Sequence, residues 1–217
     1  MSILTIINLI SCMLIVFGVG IVISKTPKGA SVFYIIQSLM LILLFVLLGL
    51  VLGATEFYMW ALVSFITKVI LVPLVMFIAW KKTSNFEQDV KPSMGAVGVI
   101  AITAIEIIVC FAVVQGVKLP AAIMYKSALA MSLGMFLLGL TCIITQRNLF
   151  KQIFGYLLME TGAHLMLAAL APSAAEAVEI AIGTDSVLTV LVMCVFAVRI
   201  CKHCKTLDSD DLQESFG

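Results

Sequence analysis

Long apolar runs separated by short polar segments make up most of this chain. We place seven of these runs at residues 4–23, 32–54, 57–80, 94–116, 121–144, 149–171 and 178–200. Each has about the 20 residues that an α-helix needs to cross the hydrocarbon core of a bilayer. The pattern predicts an all-α, polytopic membrane protein with seven transmembrane helices.

The composition agrees with that class. Of 217 residues, 63% are hydrophobic and 12% are charged, against about 45–50% and about 25% in soluble domains. This composition makes the lipid bilayer the expected partner. The net charge is +1 and no basic block is present, so we expect no binding to nucleic acid. The first run has no basic segment before it and no small-residue cleavage site, so we interpret it as a retained helix.

The distribution of lysine and arginine predicts the orientation. Seven alternating spans leave a single basic residue, Lys118, in a loop on one side of the membrane. Ten lie on the other side, after the first, third, fifth and seventh runs: Lys25, Lys28, Lys81, Lys82, Lys91, Arg147, Lys151, Arg199, Lys202 and Lys205. Because cytoplasmic loops are enriched in basic residues, we expect the N-terminus outside and the C-terminus in the cytoplasm.

Four ionisable residues lie deep inside apolar runs, namely Lys68, Glu106, Glu160 and Asp185, and Lys126 lies near the end of another run. Each charge at the bilayer centre costs about 2.5–3.5 kcal/mol of insertion free energy. Charges of both signs at that depth are typical of an ion or proton pathway. The alternative is that they form ion pairs that only hold helices together.

Lys68 and Glu106 are the first candidate pair. Pro73 follows Lys68 by five residues and breaks the backbone hydrogen bonding of that span. Glu106 has only apolar sequence neighbours, so we expect a cation to meet it. We predict that Lys68 pairs with Glu106, with Lys126 as a second candidate partner that can instead extend to the interface.

The sixth and seventh spans carry the other candidates for a proton pathway. Glu160 and His164 are four residues apart, so they share one face of a helix. Imidazole switches protonation easily near neutral pH and can relay a proton, although His164 could equally serve as an interhelical hydrogen-bonding group. Asp185 lies about one-third of the way into the last span.

The sequence contains few motifs for metal binding or catalysis. Cys201 and Cys204 form a CxxC motif that supplies two ligands where a zinc or iron–sulfur site needs four. No phosphate-binding loop, nucleophile elbow or metalloprotease motif is present. We expect no catalytic centre and no cofactor in this chain.

The last three spans resemble the small three-helix membrane subunit of respiratory complex I. The similarity lies in Gln146-Arg147-Asn148-Leu149-Phe150 running on to Gly155-Tyr156-Leu157-Leu158-Met159-Glu160, and in the last span with Asp185. The resemblance implies that Glu160 and Asp185 occupy the positions of two membrane-embedded glutamates. We therefore divide the chain into residues 1–145 with five helices, 146–205 with two helices like those of that subunit, and an acidic cytoplasmic tail at 206–217.

Over nearly its whole length the chain resembles the hydrogenase-4 component E family, which are membrane subunits of formate hydrogenlyase-type group 4 [NiFe] hydrogenases. The stretches that carry this resemblance are Phe65-Ile66-Thr67-Lys68-Val69-Ile70-Leu71-Val72-Pro73, Val117-Lys118-Leu119-Pro120 and the segment from Gln146 to Glu160.

The resemblance implies a subunit of an oxidoreductase complex in the bacterial inner membrane, beside antiporter-like and quinone-site-like membrane subunits and a soluble hydrogenase arm. Nickel–iron and iron–sulfur centres are then expected in partner subunits. Glu160, Asp185, His164, Lys68, Glu106 and Lys126 would serve proton translocation. A subunit of a multisubunit cation/proton antiporter and a purely structural scaffold remain as alternatives.

Overall fold

Seven helical spans account for almost all of the structure. The computed structural model describes residues 3–83, 92–116, 126–171 and 176–209. Its elements are α1 (Ile3–Ile23), α2 (Pro27–Leu52), α3 (Glu56–Ser64), a π-helical segment (Phe65–Leu71), α4 (Val72–Thr83), α5 (Ala96–Gly116), α6 (Lys126–Thr145), α7 (Leu149–Leu170) and α8 (Glu176–Cys204). Since α3, the π-helical segment and α4 form one continuous span, seven helices in the described ranges are long and apolar enough to cross a membrane. The predicted fold class is confirmed.

The second span begins earlier than its hydropathy predicts. Thr26 lies in extended conformation, and its side chain accepts a hydrogen bond from the Gly29 amide at 3.2 Å. Pro27 occupies the start of the helix, where its missing N–H is not needed. The cap therefore starts α2 at residue 27 instead of 32, and Gly53, with φ of 63°, ends it in the left-handed conformation.

The third span changes its helical winding in the middle. Residues Phe65–Leu71 form a π-helix, and the Val72 amide donates to the carbonyl of Thr67, five residues earlier. Pro73 follows directly, and in an α-helix its ring would clash with the carbonyl four residues before it. The wider turn relieves that clash and turns Thr67 and Lys68 into the interior, where both are buried.

Helices α6 and α7 approach each other closely because glycines line their contact. A Cβ added at Gly139 would lie 2.5 Å from the Met159 amide nitrogen, and one added at Gly162 would lie 2.6 Å from the Phe136 amide nitrogen. Gly155 likewise packs against the backbone of Gly139. Small residues allow such close backbone contact between membrane helices. The pair forms a rigid support for the side chains that α7 carries.

One end of the bundle gathers the basic side chains, and we call it the basic end: Lys25, Lys28, Lys81, Lys82, Arg147, Lys151, Arg199, Lys202 and Lys205. There Lys151 donates to the carbonyls of Val22, at 2.9 Å, and Ser24, which ends α1. Residues 206–209 fold back onto the turn before α7, since Ser209 N donates to Arg147 O at 3.0 Å. Lys91, Lys118, Asp210, Asp211 and Glu214 lie outside the described residues, and which end of the bundle faces the cytoplasm stays a prediction.

Candidate functional site

A buried contact between oppositely charged side chains lies at the centre of the bundle. Lys68 Nζ is 2.7 Å from Glu160 Oε1, and Lys68 is completely buried while Glu160 is 9% exposed. The lysine comes from the π-helical segment and the glutamate from the middle of α7. Lys68 Nζ also lies 3.5 Å from Thr161 Oγ1. The contact has the geometry of a charge-assisted hydrogen bond.

His164 joins the same centre one helical turn along α7. Its Nδ1 is 3.7 Å from Glu160 Oε1, the oxygen that also accepts from Lys68. The imidazole is 1% exposed and its ring stands edge-on to Phe45, with ring centroids 6.1 Å apart. The predicted common face of Glu160 and His164 is present. We call Lys68, Glu160 and His164 the central cluster.

The second oxygen of Glu160 is buried and makes no hydrogen bond to any residue that the structure describes. A carboxylate has capacity for several donors. The cluster therefore combines a short lysine–carboxylate hydrogen bond with a nearby imidazole. Groups in that arrangement can exchange a proton without large movements of the backbone.

The predicted pairing of Lys68 with Glu106 is wrong, because Lys68 contacts Glu160 instead. Glu106 lies on α5, which packs on α6 and α1 and makes no substantial contact with the third span in the described ranges. Its partner is Thr141 on α6, whose hydroxyl donates to Glu106 Oε1. Its Oε2 is buried, with no hydrogen-bond partner among the described residues. The half-buried Glu106 thus forms a second polar site, apart from the central cluster.

Lys126, the other predicted partner of Glu106, lies at the first residue of α6. Its Nζ is 3.5 Å from the carbonyl oxygen of Gln115, at the end of α5. This contact is exposed, and the extension of the side chain to the membrane interface stays a prediction. The structure does not bring Lys126 into the central cluster.

Asp185 faces outward from the chain and not into its core. Its Oδ2 lies 3.4 Å from the hydroxyl of Tyr156, which comes from α7 one turn before Glu160. Tyr156 therefore contacts the outer aspartate from the helix that carries the buried glutamate, one turn away from it. Sequence inspection missed this tyrosine, although its spacing of four residues from Glu160 is the same signal that linked Glu160 to His164.

The CxxC motif forms the last turn of α8, with Cys201 buried and Cys204 exposed. Within the described ranges, no group of three or more His, Cys, Asp or Glu side chains is arranged to hold a metal ion.

The chain is similar to proteins of one family over almost its whole length. The chain is 41% identical over 209 residues to hydrogenase-4 component E of Escherichia coli K12, and equally to the proteins of that name from Escherichia coli O157:H7 and Shigella flexneri. The alignments cover 95% of this chain and 95% of each relative. The chain belongs to the hydrogenase-4 component E family.

The C-terminal part of this chain carries a second relationship. The family model described as NADH-ubiquinone/plastoquinone oxidoreductase chain 4L matches residues 127–215. That range begins at the start of α6 and includes Glu160, His164 and Asp185. No solved structure matches the chain. The resemblance drawn from the residues is confirmed, both for the whole chain and for its last three spans.

Proposed function

We propose that this chain is a non-catalytic membrane subunit of a hydrogenase complex and that its central cluster carries protons during ion translocation. The observation that supports this most strongly is the buried 2.7 Å contact between Lys68 and Glu160, with His164 at 3.7 Å from the same oxygen. Three titratable groups in contact at membrane depth are costly to insert. Such groups mark proton relays in other membrane proteins.

The chemistry follows from the shared oxygen. Lys68 and Glu160 can exist as an ion pair or, after transfer of one proton along their hydrogen bond, as a neutral amine and carboxylic acid. Both side chains are buried, so the proton would move between them inside the bundle. His164 lies beside the same oxygen of Glu160 and accepts or supplies the proton there. Protonation at one end of the cluster thereby changes the charge state at the other.

Tyr156 and Asp185 extend this route toward the surface of the subunit. The Tyr156 hydroxyl lies 3.4 Å from Asp185, which faces outward and is positioned to exchange a proton with a neighbouring membrane subunit. Glu106 with Thr141 offers a second site on the other side of α6, and Lys126 marks the helix end beyond it. We assign Glu106 and Lys126 to a separate branch of the pathway.

The family supports the setting of this function. Its relatives are named as components of hydrogenase-4, which favours a hydrogenase complex over the cation/proton antiporter that the residues alone leave open. Hydrogen chemistry and electron transfer would then belong to partner subunits with nickel–iron and iron–sulfur centres, in a complex of formate hydrogenlyase type. The chain would lie in the inner membrane between antiporter-like and quinone-site-like subunits.

Proton pumping by the purified complex, reconstituted in liposomes, tests the proposal. In the variant Glu160→Gln we expect pumping to fall at least tenfold while hydrogenase activity with an artificial electron donor stays near the parent value. Glu56→Gln, at the first residue of α3, serves as a matched control that removes a carboxylate outside the proposed pathway. Unchanged pumping by Glu160→Gln in an intact complex would reduce the cluster to a structural tie and support the scaffold alternative.

A further inference from the structure

A groove between α4 and α8 at the basic end has no role in the function proposed above. Its volume is about 410 Å3. Cys194 lines the groove, and its Sγ lies 3.4 Å from Met76 Sδ where the two helices touch. Its outer walls are apolar and exposed, for example Ile78 at 47% and Val195 at 47%. The groove is therefore open toward the surroundings of the bundle.

The walls follow the helical repeat on both sides. On α8, the lining residues Leu191, Val195, Val198 and Lys202 are spaced by three or four positions, so they form one stripe. On α4, Val75 and Lys82 are seven positions apart, and Ile78 and Ala79 lie three and four positions after Val75, so these residues also share one face. Each stripe runs from apolar residues within the membrane to a lysine at the basic end. The α8 stripe alone is apolar over roughly 10 Å of helix.

Three cations close the groove at that end. Lys82 comes from the last turn of α4, and Arg199 and Lys202 come from the last two turns of α8, one turn apart. All three are exposed. In the ranges that the structure describes, no carboxylate lies within salt-bridge distance of any of them. Three cations at the end of an apolar groove favour a ligand that carries negative charge at one end and an apolar segment along the rest.

We propose that this groove binds an anionic phospholipid, with the headgroup phosphate on Lys82, Arg199 and Lys202 and an acyl chain along the apolar walls. Basic pockets between transmembrane helices at the membrane surface recognise such headgroups. A free phosphate or an acidic peptide would satisfy the cations but leave the apolar walls without a partner, whereas a zwitterionic lipid would fill the walls without matching the charge. The site bridges α4, which follows the π-helical segment, and α8, which carries Asp185.

Photolabelling of the full-length chain tests the site. The chain is placed in phosphatidylcholine nanodiscs with a small fraction of phosphatidylglycerol that carries a diazirine on one acyl chain, and adducts are mapped by mass spectrometry. We expect adducts on residues 75–79 and 191–198. The variant Arg199→Gln/Lys202→Gln removes two basic contacts and is expected to lower labelling there by about ten- to thirtyfold. The matched control Lys25→Gln/Lys205→Gln changes the net charge equally at the same end and is expected to label like the parent.

A second variant separates a lipid from other anions. Val195→Trp fills the apolar wall without a change of charge, so it should also abolish labelling at the groove, with folding checked by circular dichroism and gel filtration. Equal labelling by a phosphatidylcholine probe, or normal labelling of Val195→Trp, would overturn the proposal. Labelling that rises severalfold in Asp210→Asn/Asp211→Asn/Glu214→Gln would also overturn it, because the acidic tail would then be the occupant of the cations.

Discussion

The contact between Lys68 and Glu160 predicts a strongly non-additive mutant cycle. At 2.7 Å and an effective dielectric constant of about 20, the attraction between the two charges is about 6 kcal/mol. Loss of solvation of both ions opposes it with several kcal/mol for each ion. The net contribution of the pair is therefore small, whereas removal of one partner leaves the other charge buried and unpaired, at a cost of about 3–5 kcal/mol.

The assay is reversible unfolding of the purified chain in mixed micelles, with the free energy of unfolding measured for Lys68→Met, Glu160→Gln and the double variant. We expect each single variant to lose about 3–5 kcal/mol and the double variant to be more stable than either. Lys126→Met, which removes only a weak exposed contact, should lose less than about 1 kcal/mol. If the two single losses simply add in the double variant, the argument from the buried pair is refuted.

Three further variants test packing and polar contacts elsewhere in the bundle. Gly155→Ala should lower the free energy of unfolding by about 1–3 kcal/mol, because its Cβ would lie 2.9 Å from a backbone oxygen. Gly95→Ala is the control. Gly95 has open space around it, so this variant should have the parent's stability in the same assay. Thr141→Val should lower the free energy of unfolding by about 1–3 kcal/mol, because it removes the donor to the half-buried carboxyl of Glu106. An unchanged stability would show that this hydrogen bond is absent in the folded protein. Lys151→Met should lower the free energy of unfolding by about 1.5–3 kcal/mol and increase hydrogen exchange at the end of α1, where the lysine binds a backbone carbonyl. Unaltered exchange there would contradict the idea that Lys151 stabilises this helix end.

The seven spans were predictable because they depend on local composition. About 20 apolar residues form a transmembrane helix whatever their neighbours are, so only the boundaries differed from the prediction. The earlier start of α2 follows from the Thr26 cap and Pro27, a local signal that hydropathy does not measure. The depth of Lys68 and Glu160 was predictable for the same reason.

The partners of these charges were not predictable, because they depend on which helices pack together. Lys68 and Glu160 are 92 positions apart, and no sequence period relates the third span to the sixth. The π-helical segment turns Lys68 toward α7, and Pro73 indicates a distortion there but not the direction in which Lys68 turns. Likewise, the position of a residue along an apolar run does not show whether its side chain faces the core. Asp185 lies well inside its run but is exposed on the outer surface.

The close contact of α6 with α7 shows a similar limit. Gly49 and Gly53 are four residues apart, a spacing typical of packing motifs in membrane helices. Gly53 instead ends α2 with a positive φ, and the closest backbone contacts of α6 and α7 lie at Gly139, Gly155 and Gly162. These glycines are on two different helices, so their relationship becomes visible only after the helices are placed side by side.

The central claim is that Glu160 changes its protonation during turnover, and infrared difference spectroscopy measures this directly. Spectra of the reconstituted complex would be recorded before and during hydrogen-driven turnover, in H2O and in D2O. We expect a carboxylic acid carbonyl band that shifts in D2O and is missing from Glu160→Gln, while Glu106→Gln retains it. A carboxylic acid signal that persists unchanged in Glu160→Gln would contradict the account, because the proton would then move through other groups.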